Sequence, residues 1–139
     1  MAITGGCLCG AVRYTVEAEP MAARQCWCRD CQYLGAGSST ANVCFPSDKV
    51  EITGTLTNYD STADSGSPMR RGFCPACGTP VTSHALSRPH LMFFRIGTLD
   101  DPTIIAPQMN IWTASKPGWA AIDPDLPAHP GQVPSVSAA

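Results

Sequence analysis

Seven of the eight cysteines in this 139-residue sequence fall into tight groups: Cys7 with Cys9, Cys26 with Cys28 and Cys31, and Cys74 with Cys77. One or two intervening residues make a strain-free disulfide to the near neighbour awkward. The opening residues, Met1-Ala2-Ile3-Thr4-Gly5-Gly6, show neither the basic n-region nor the apolar h-region of a secretory signal. The expected compartment is therefore the cytoplasm, where thiols stay reduced and clustered cysteines read as metal ligands.

The groups divide by number. Cys74-Pro75-Ala76-Cys77-Gly78 points two thiolates at one ion from a tight turn, its backbone N–H groups are free to bond the sulfurs, and Gly78 supplies conformational freedom after the second ligand. A closed structural zinc needs four ligands, and Cys7-Leu8-Cys9, ahead of Gly10 and a strand, is the natural second pair. Cys26-Trp27-Cys28-Arg29-Asp30-Cys31 offers only three thiolates. Three protein ligands leave a place for water or substrate, the pattern of a reactive zinc. Cys44, His84, His90 and His129 are the candidates for a fourth ligand. Cys44, between Val43 and Phe45, reads as a core thiol, His84 and His90 as strand-end or surface residues, and His129 as part of the tail.

Three thiolates leave a zinc centre formally at −1, a weak Lewis acid for activating water. Such a centre still holds an incoming thiol as its thiolate, so thiol chemistry is expected in preference to hydrolysis. The sequence contains no His-Glu-x-x-His, no phosphate-cradling glycine loop and no Gly-x-Ser-x-Gly elbow.

Short strands are the elements expected to carry these ligands. Residues 10–18 alternate, with Val12, Tyr14 and Val16 opposite Arg13, Thr15 and Glu17. Further strands are expected at about 38–45, 49–53, 55–60, 69–73, 79–85 and 91–97, with one or two helical turns in Cys28–Leu34 starting near Arg29-Asp30. Twelve glycines, thirteen prolines and 14% charged residues suit a loop-rich, mainly β domain. The expected organisation is one domain over residues 1–127 and a flexible tail over 128–139, with irregular chain from Pro102 and a loose, proline-bearing stretch from Asp123. A net charge of −2 without a dense Lys/Arg run gives no sign of a nucleic-acid partner. No apolar stretch approaches the length of a membrane span.

Five stretches resemble the glutathione-dependent formaldehyde-activating enzymes and their centromere-protein-V-like relatives. They are Gly6-Cys7-Leu8-Cys9-Gly10-Ala11-Val12-Arg13-Tyr14, Cys26-Trp27-Cys28-Arg29-Asp30-Cys31-Gln32 and Arg71-Gly72-Phe73-Cys74-Pro75-Ala76-Cys77-Gly78-Thr79, followed by Gly97–Pro102 and Trp112–Trp119. The resemblance implies a fold of several small coiled β-sheets stitched by two zinc ions per chain. It implies a structural zinc on Cys7, Cys9, Cys74 and Cys77, and a catalytic zinc, open to exchange, on Cys26, Cys28 and Cys31. The implied activity is condensation of formaldehyde with glutathione to S-hydroxymethylglutathione, a carbon–sulfur lyase reaction run in reverse.

Two positions depart from the family pattern: Trp27 and Asn110 stand where relatives often carry histidine. Glutathione's carboxylates would need cationic anchors, for which Arg29, Arg70, Arg71, Arg95 and Lys116 are candidates, while Trp27, Trp112 and Trp119 either wall a pocket or pack in the core. Competing readings are a non-catalytic carrier of glutathione or formaldehyde, a zinc-stabilised interaction module and a thiol redox switch. Neither the physiological thiol and aldehyde nor the oligomeric state follows from the sequence.

Overall fold

A computed structural model describes residues 2–133. Ten strands and one short α-helix follow in chain order: β1 (Ile3–Gly6), β2 (Arg13–Val16), β3 (Ala22–Cys26), α1 (Arg29–Leu34), β4 (Thr40–Pro46), β5 (Val50–Thr53), β6 (Thr57–Thr62), β7 (Pro68–Phe73), β8 (Pro80–Ala85), β9 (Leu91–Arg95) and β10 (Asn110–Ile111). The protein is mainly β, as its sequence predicts. Two sheets form, one of three strands in the order β1-β2-β5 and one of seven in the order β10-β3-β4-β9-β8-β7-β6. Every pairing is antiparallel except that of β10 with β3.

Three strands carry no readable signal in the sequence. β1 is Ile-Thr-Gly-Gly, whose glycines are required by closeness: a Cβ on Gly5 would lie 2.4 Å from the Tyr14 ring and from the Thr98 carbonyl oxygen. β3 begins Ala-Ala-Arg-Gln, with no apolar alternation, and β10 is two residues long. The strand expected over 10–18 pairs only at Arg13–Val16, because residues 7–12 turn around the first cysteine pair. The strand expected over 91–97 ends at Arg95, and Ile96–Thr98 form a 3₁₀ turn.

One face of the large sheet is dry. Val43, Phe45, Val81 and Phe94 pack there with Val12, Tyr14 and Val16 of the small sheet. The Tyr14 and Phe94 rings stack with centroids 4.0 Å apart, and Phe45 meets Phe94 edge-on at 6.2 Å. Tyr14's hydroxyl donates to Thr98 Oγ1 at 2.7 Å, and Thr98 in turn donates to the Arg95 carbonyl at 2.7 Å. The buried phenol is thus satisfied, and burial pushes its pKa up to about 12.

Because side chains alternate along a strand, the intervening residues point to the opposite face. That face is polar. It carries Arg24 and Cys26 on β3, Asn42 on β4, Arg95 on β9, Ser83 on β8 and Arg71 on β7, all lining one cleft. Cross-strand register aligns Arg24 with Asn42 and Asn42 with Arg95, and sets Ser83 opposite both Phe93 and Arg71.

The start of the expected tail differs from a free segment. Asn110 N–H donates to the Pro127 carbonyl at 2.9 Å and His129 N–H to the Asn110 carbonyl at 2.9 Å. Trp112 N–H donates to the Gly131 carbonyl at 3.2 Å. Residues 127–131 therefore run beside β10, and the stretch looked irregular in the sequence because its partner is the equally inconspicuous β10. Residues 134–139 lie outside the described part. Among the described residues no helix is long and apolar enough to cross a membrane.

Candidate functional site

Cysteines gather at two places, one joining pairs far apart in the sequence and one made of a single local group. At the first, Cys7 and Cys9 follow β1, and Cys74 and Cys77 follow β7. Their four sulfurs lie within 4.8 Å of one another, with Cys7 and Cys9 3.6 Å apart and Cys9 and Cys74 3.8 Å apart. A tetrahedron of thiolates at the usual zinc–sulfur bond length has edges of about 3.8 Å, so the set fits a closed zinc, and these separations exclude disulfides.

Backbone geometry builds the site. Each pair closes a turn, Gly10 N–H to the Cys7 carbonyl at 3.1 Å and Gly78 N–H to the Cys74 carbonyl at 2.8 Å. Both glycines are left-handed, at φ 81° and 76°. Val12 N–H donates to the Cys7 sulfur at 3.2 Å and Ala76 N–H to the Cys74 sulfur at 3.4 Å, bonds that stabilise thiolates. The Thr79 hydroxyl, 3.1 Å from the Cys77 sulfur, and the Thr79 backbone bring that thiol down to about 5.

The second place gathers Cys26 at the end of β3, Cys28 as N-cap of α1 and Cys31 in its first turn. All three are buried, their sulfurs lie within 4.8 Å of one another, and Cys31 N–H donates to the Cys28 sulfur at 3.3 Å. Among the described residues no cysteine, histidine or carboxylate joins them as a fourth ligand. Cys44 is fully buried on β4, and burial pushes its thiol up to about 11. His84 sits on β8 opposite Arg70, His90 is exposed, and His129 is pinned by its backbone beside β10.

The surroundings of the three thiols favour ionisation at Cys31. The Cys26 and Cys28 thiols bond it most strongly, the Thr40 hydroxyl adds to this, and Arg95 attracts its charge, bringing Cys31 down to about 3. Cys26 is pushed far up, chiefly by Cys28 and Cys31 beside it. Three buried sulfurs cannot all ionise without a cation among them, and a divalent ion fits this donor set.

A cleft of about 100 Å³ opens over the triplet. Arg24, Arg71, Arg88 and Arg95 line it, and Asp64 is its one carboxylate. Of the anchors expected from the sequence, Arg71 and Arg95 reach the cleft. Arg29 instead bonds Gln32 at 2.5 Å and lies over Tyr33, Arg70 is paired with Asp60 at 2.8 Å, and Lys116 donates to the Ala120 carbonyl at 2.9 Å. Arg24 and Arg88 escape the sequence reading. Arg24 stands two residues before Cys26, a signal usable only once β3 is known to be a strand.

Trp112 lines the cleft in a left-handed conformation, φ 58°, rare for a bulky residue, and its indole N–H donates to Gln132 at 3.0 Å. Val133 packs against the triplet from the same segment. Trp119 is exposed and lines no part of the cleft. The two unusual residues, Trp27 and Asn110, turn out to be partners: the Trp27 indole N–H donates to Asn110 Oδ1 at 2.9 Å, with both side chains buried behind the triplet.

A mainly β fold with two cysteine clusters suited to metal ions defines the class of protein. The family model described as "Glutathione-dependent formaldehyde-activating enzyme" matches residues 2–115, and the chain belongs to this family. A Halomonas elongata protein named "Putative glutathione-dependent formaldehyde-activating enzyme" is 26% identical over 129 residues, covering 88% of this chain and 82% of that protein. A crystal structure of a Rhodobacter sphaeroides protein shares the fold, with a TM-score of 0.57 and 24% identity over 75% of this chain and 91% of its own.

Proposed function

We propose that Cys26, Cys28 and Cys31 hold a catalytic zinc, that Cys7, Cys9, Cys74 and Cys77 hold a structural one, and that the protein is a carbon–sulfur lyase-type enzyme of the S-(hydroxymethyl)glutathione synthase kind. Its substrate is an adduct of glutathione, or another thiol, with an aldehyde. The observation that carries this reading is a buried three-sulfur set at the floor of an arginine-lined cleft. Zinc bound there would stabilise an incoming thiol as its thiolate.

The chain's own residues supply the rest. Cys28 caps α1 and so orients Cys31, while β3 presents Cys26 from the other side. Trp112 after β10, with Gln132 and Val133 from the C-terminal segment, walls the site. The cleft arginines attract an anionic substrate and favour the ionised thiol. Rate acceleration then comes from holding the nucleophile charged and close to the carbonyl carbon. All eight thiols are free, which fits a reducing compartment such as the cytoplasm.

Exchange between free and adduct-bound formaldehyde in glutathione solution, followed by two-dimensional NMR exchange spectroscopy, tests the assignment. Zinc-loaded protein is expected to speed exchange, and a folded Cys28→Ser variant is expected to leave the spontaneous rate. Equal rates with parent and variant would remove catalysis and leave a carrier of thiol or aldehyde.

A further inference from the structure

Two of the cleft arginines are buried with nitrogens left unmatched. Arg95 is 8% exposed, and its Nη1 donates to Asn42 Oδ1 at 2.5 Å. Its Nε and Nη2 are buried and without a partner among the described residues. Arg71, also 8% exposed, donates from Nη1 to Ser61 at 2.9 Å, and its Nη2 stands 3.7 Å from Asp30. Its Nε is likewise buried and unpartnered. An unsatisfied buried guanidinium nitrogen is costly, so such groups are placed where something else meets them.

That something is an anion. No carboxylate lies within 4.0 Å of Arg24, Arg88 or Arg95 among the described residues. The cleft is net positive even when the triplet with its ion is counted as a −1 centre, so balancing the metal site does not exhaust the charge. The planar fork of arginine matches a carboxylate, which accepts two parallel bonds. The position is also close to the sulfurs. Arg95 and Arg71 line the same cleft as Cys26, Cys28 and Cys31.

We propose that Arg95 and Arg71 form a buried carboxylate subsite beside the triplet, and that the substrate is a thiol–carbonyl adduct bearing a carboxylate a few bonds from its sulfur. The carboxylate belongs to either half of the adduct, a short mercapto acid or an oxo acid such as glyoxylate. This selectivity rests on the thiol-adduct reading above, but the subsite itself can be tested apart from it.

Two titrations separate the claims. In the first, cobalt-substituted protein is titrated with 3-mercaptopropionate and with 2-mercaptoethanol, reading the sulfur-to-cobalt absorption at matched thiolate. In the second, zinc-loaded protein is titrated with propionate, reading the Arg95 and Arg71 Nε–H signals by NMR. The mercapto acid is expected to bind about tenfold tighter, the worth of one charge-assisted hydrogen bond. Arg95→Gln or Arg71→Gln is expected to erase that preference, so that within each variant 3-mercaptopropionate and 2-mercaptoethanol bind equally. Propionate is expected to shift both Nε–H signals. If both thiols bind equally and propionate shifts neither signal, the subsite is overturned and the thiol reading stands. If propionate shifts the signals but no thiol alters the cobalt spectrum, the subsite stands and the thiol reading falls. Adduct exchange with 2-mercaptoethanol and glyoxylate, against 3-mercaptopropionate and formaldehyde, shows which half carries the carboxylate.

Discussion

The two cysteine clusters use the same atoms to opposite ends. Around Cys7, Cys9, Cys74 and Cys77, two glycine-ended turns face each other and backbone N–H groups bond the sulfurs, while Cys9 is exposed. Around Cys26, Cys28 and Cys31, a strand end and a helix start bury three sulfurs beneath four arginines. Four thiolates with neutral donors would saturate an ion and close the chain on itself. Three thiolates under cationic side chains leave the site short of one ligand and long in positive charge. On the proposed assignment, what distinguishes a closure from a reactive centre is ligand number and the charge around it, since the ligand chemistry is identical.

The largest effect should come from exchanging the damage between the clusters. Metal binding at structural sites contributes about 10–16 kcal/mol in zinc-finger peptides, comparable to the whole stability of a domain. Cys74→Ser is therefore expected to abolish cooperative thermal unfolding, read by circular dichroism. Cys28→Ser is expected to keep the fold and to lower the zinc content from two ions per chain to one, read by elemental analysis. Equal damage from both substitutions would erase the contrast.

A smaller effect sharpens the triplet side. Trp27→Phe removes the indole donor to Asn110, whose Nδ2 is already without a partner among the described residues, and leaves a buried amide unsatisfied. The expected loss is about 1–3 kcal/mol in urea unfolding, with zinc stoichiometry unchanged.

The smallest concerns the sheet that holds the first pair. Asp100 accepts from Arg13 and from Thr4, and so ties β2 to β1. Arg13, and then Thr4, hold its carboxyl at about 2. Because the folded pKa is depressed, the contribution is present above the unfolded carboxylate range and disappears as pH falls from about 4 through 2. Both side chains are nearly half exposed, so solvent screening keeps the tie weak. Asp100→Asn should lower the urea midpoint slightly at pH 7, and the gap to the parent should close on acidification.

The cysteine partition was legible in the sequence because ligand spacing is a local property. One or two residues between cysteines dictate a turn, and the count of four against three dictates a closed or an open set. Helix α1 was legible for the same reason, through its start near Arg29-Asp30 and its glycine stop, although Cys28 itself is the cap. The alternating strands around Val12, Tyr14 and Val16 were legible through their apolar period. The arginine cleft was not. Arg24, Arg71 and Arg95 share one face only because β3, β4, β9, β8 and β7 pair in a particular register, and register over such separations is set by packing of the opposite, dry face. Residues 127–133, read as the start of a tail, wall the triplet only because β10 pairs with them and with β3. Sequence alone thus determined which cysteines stand together as local pairs and a triplet of candidate ligands, since that needs only near neighbours. Tertiary structure decided what charge and shape those atoms face, since that is assembled from strands whose partners lie far along the chain.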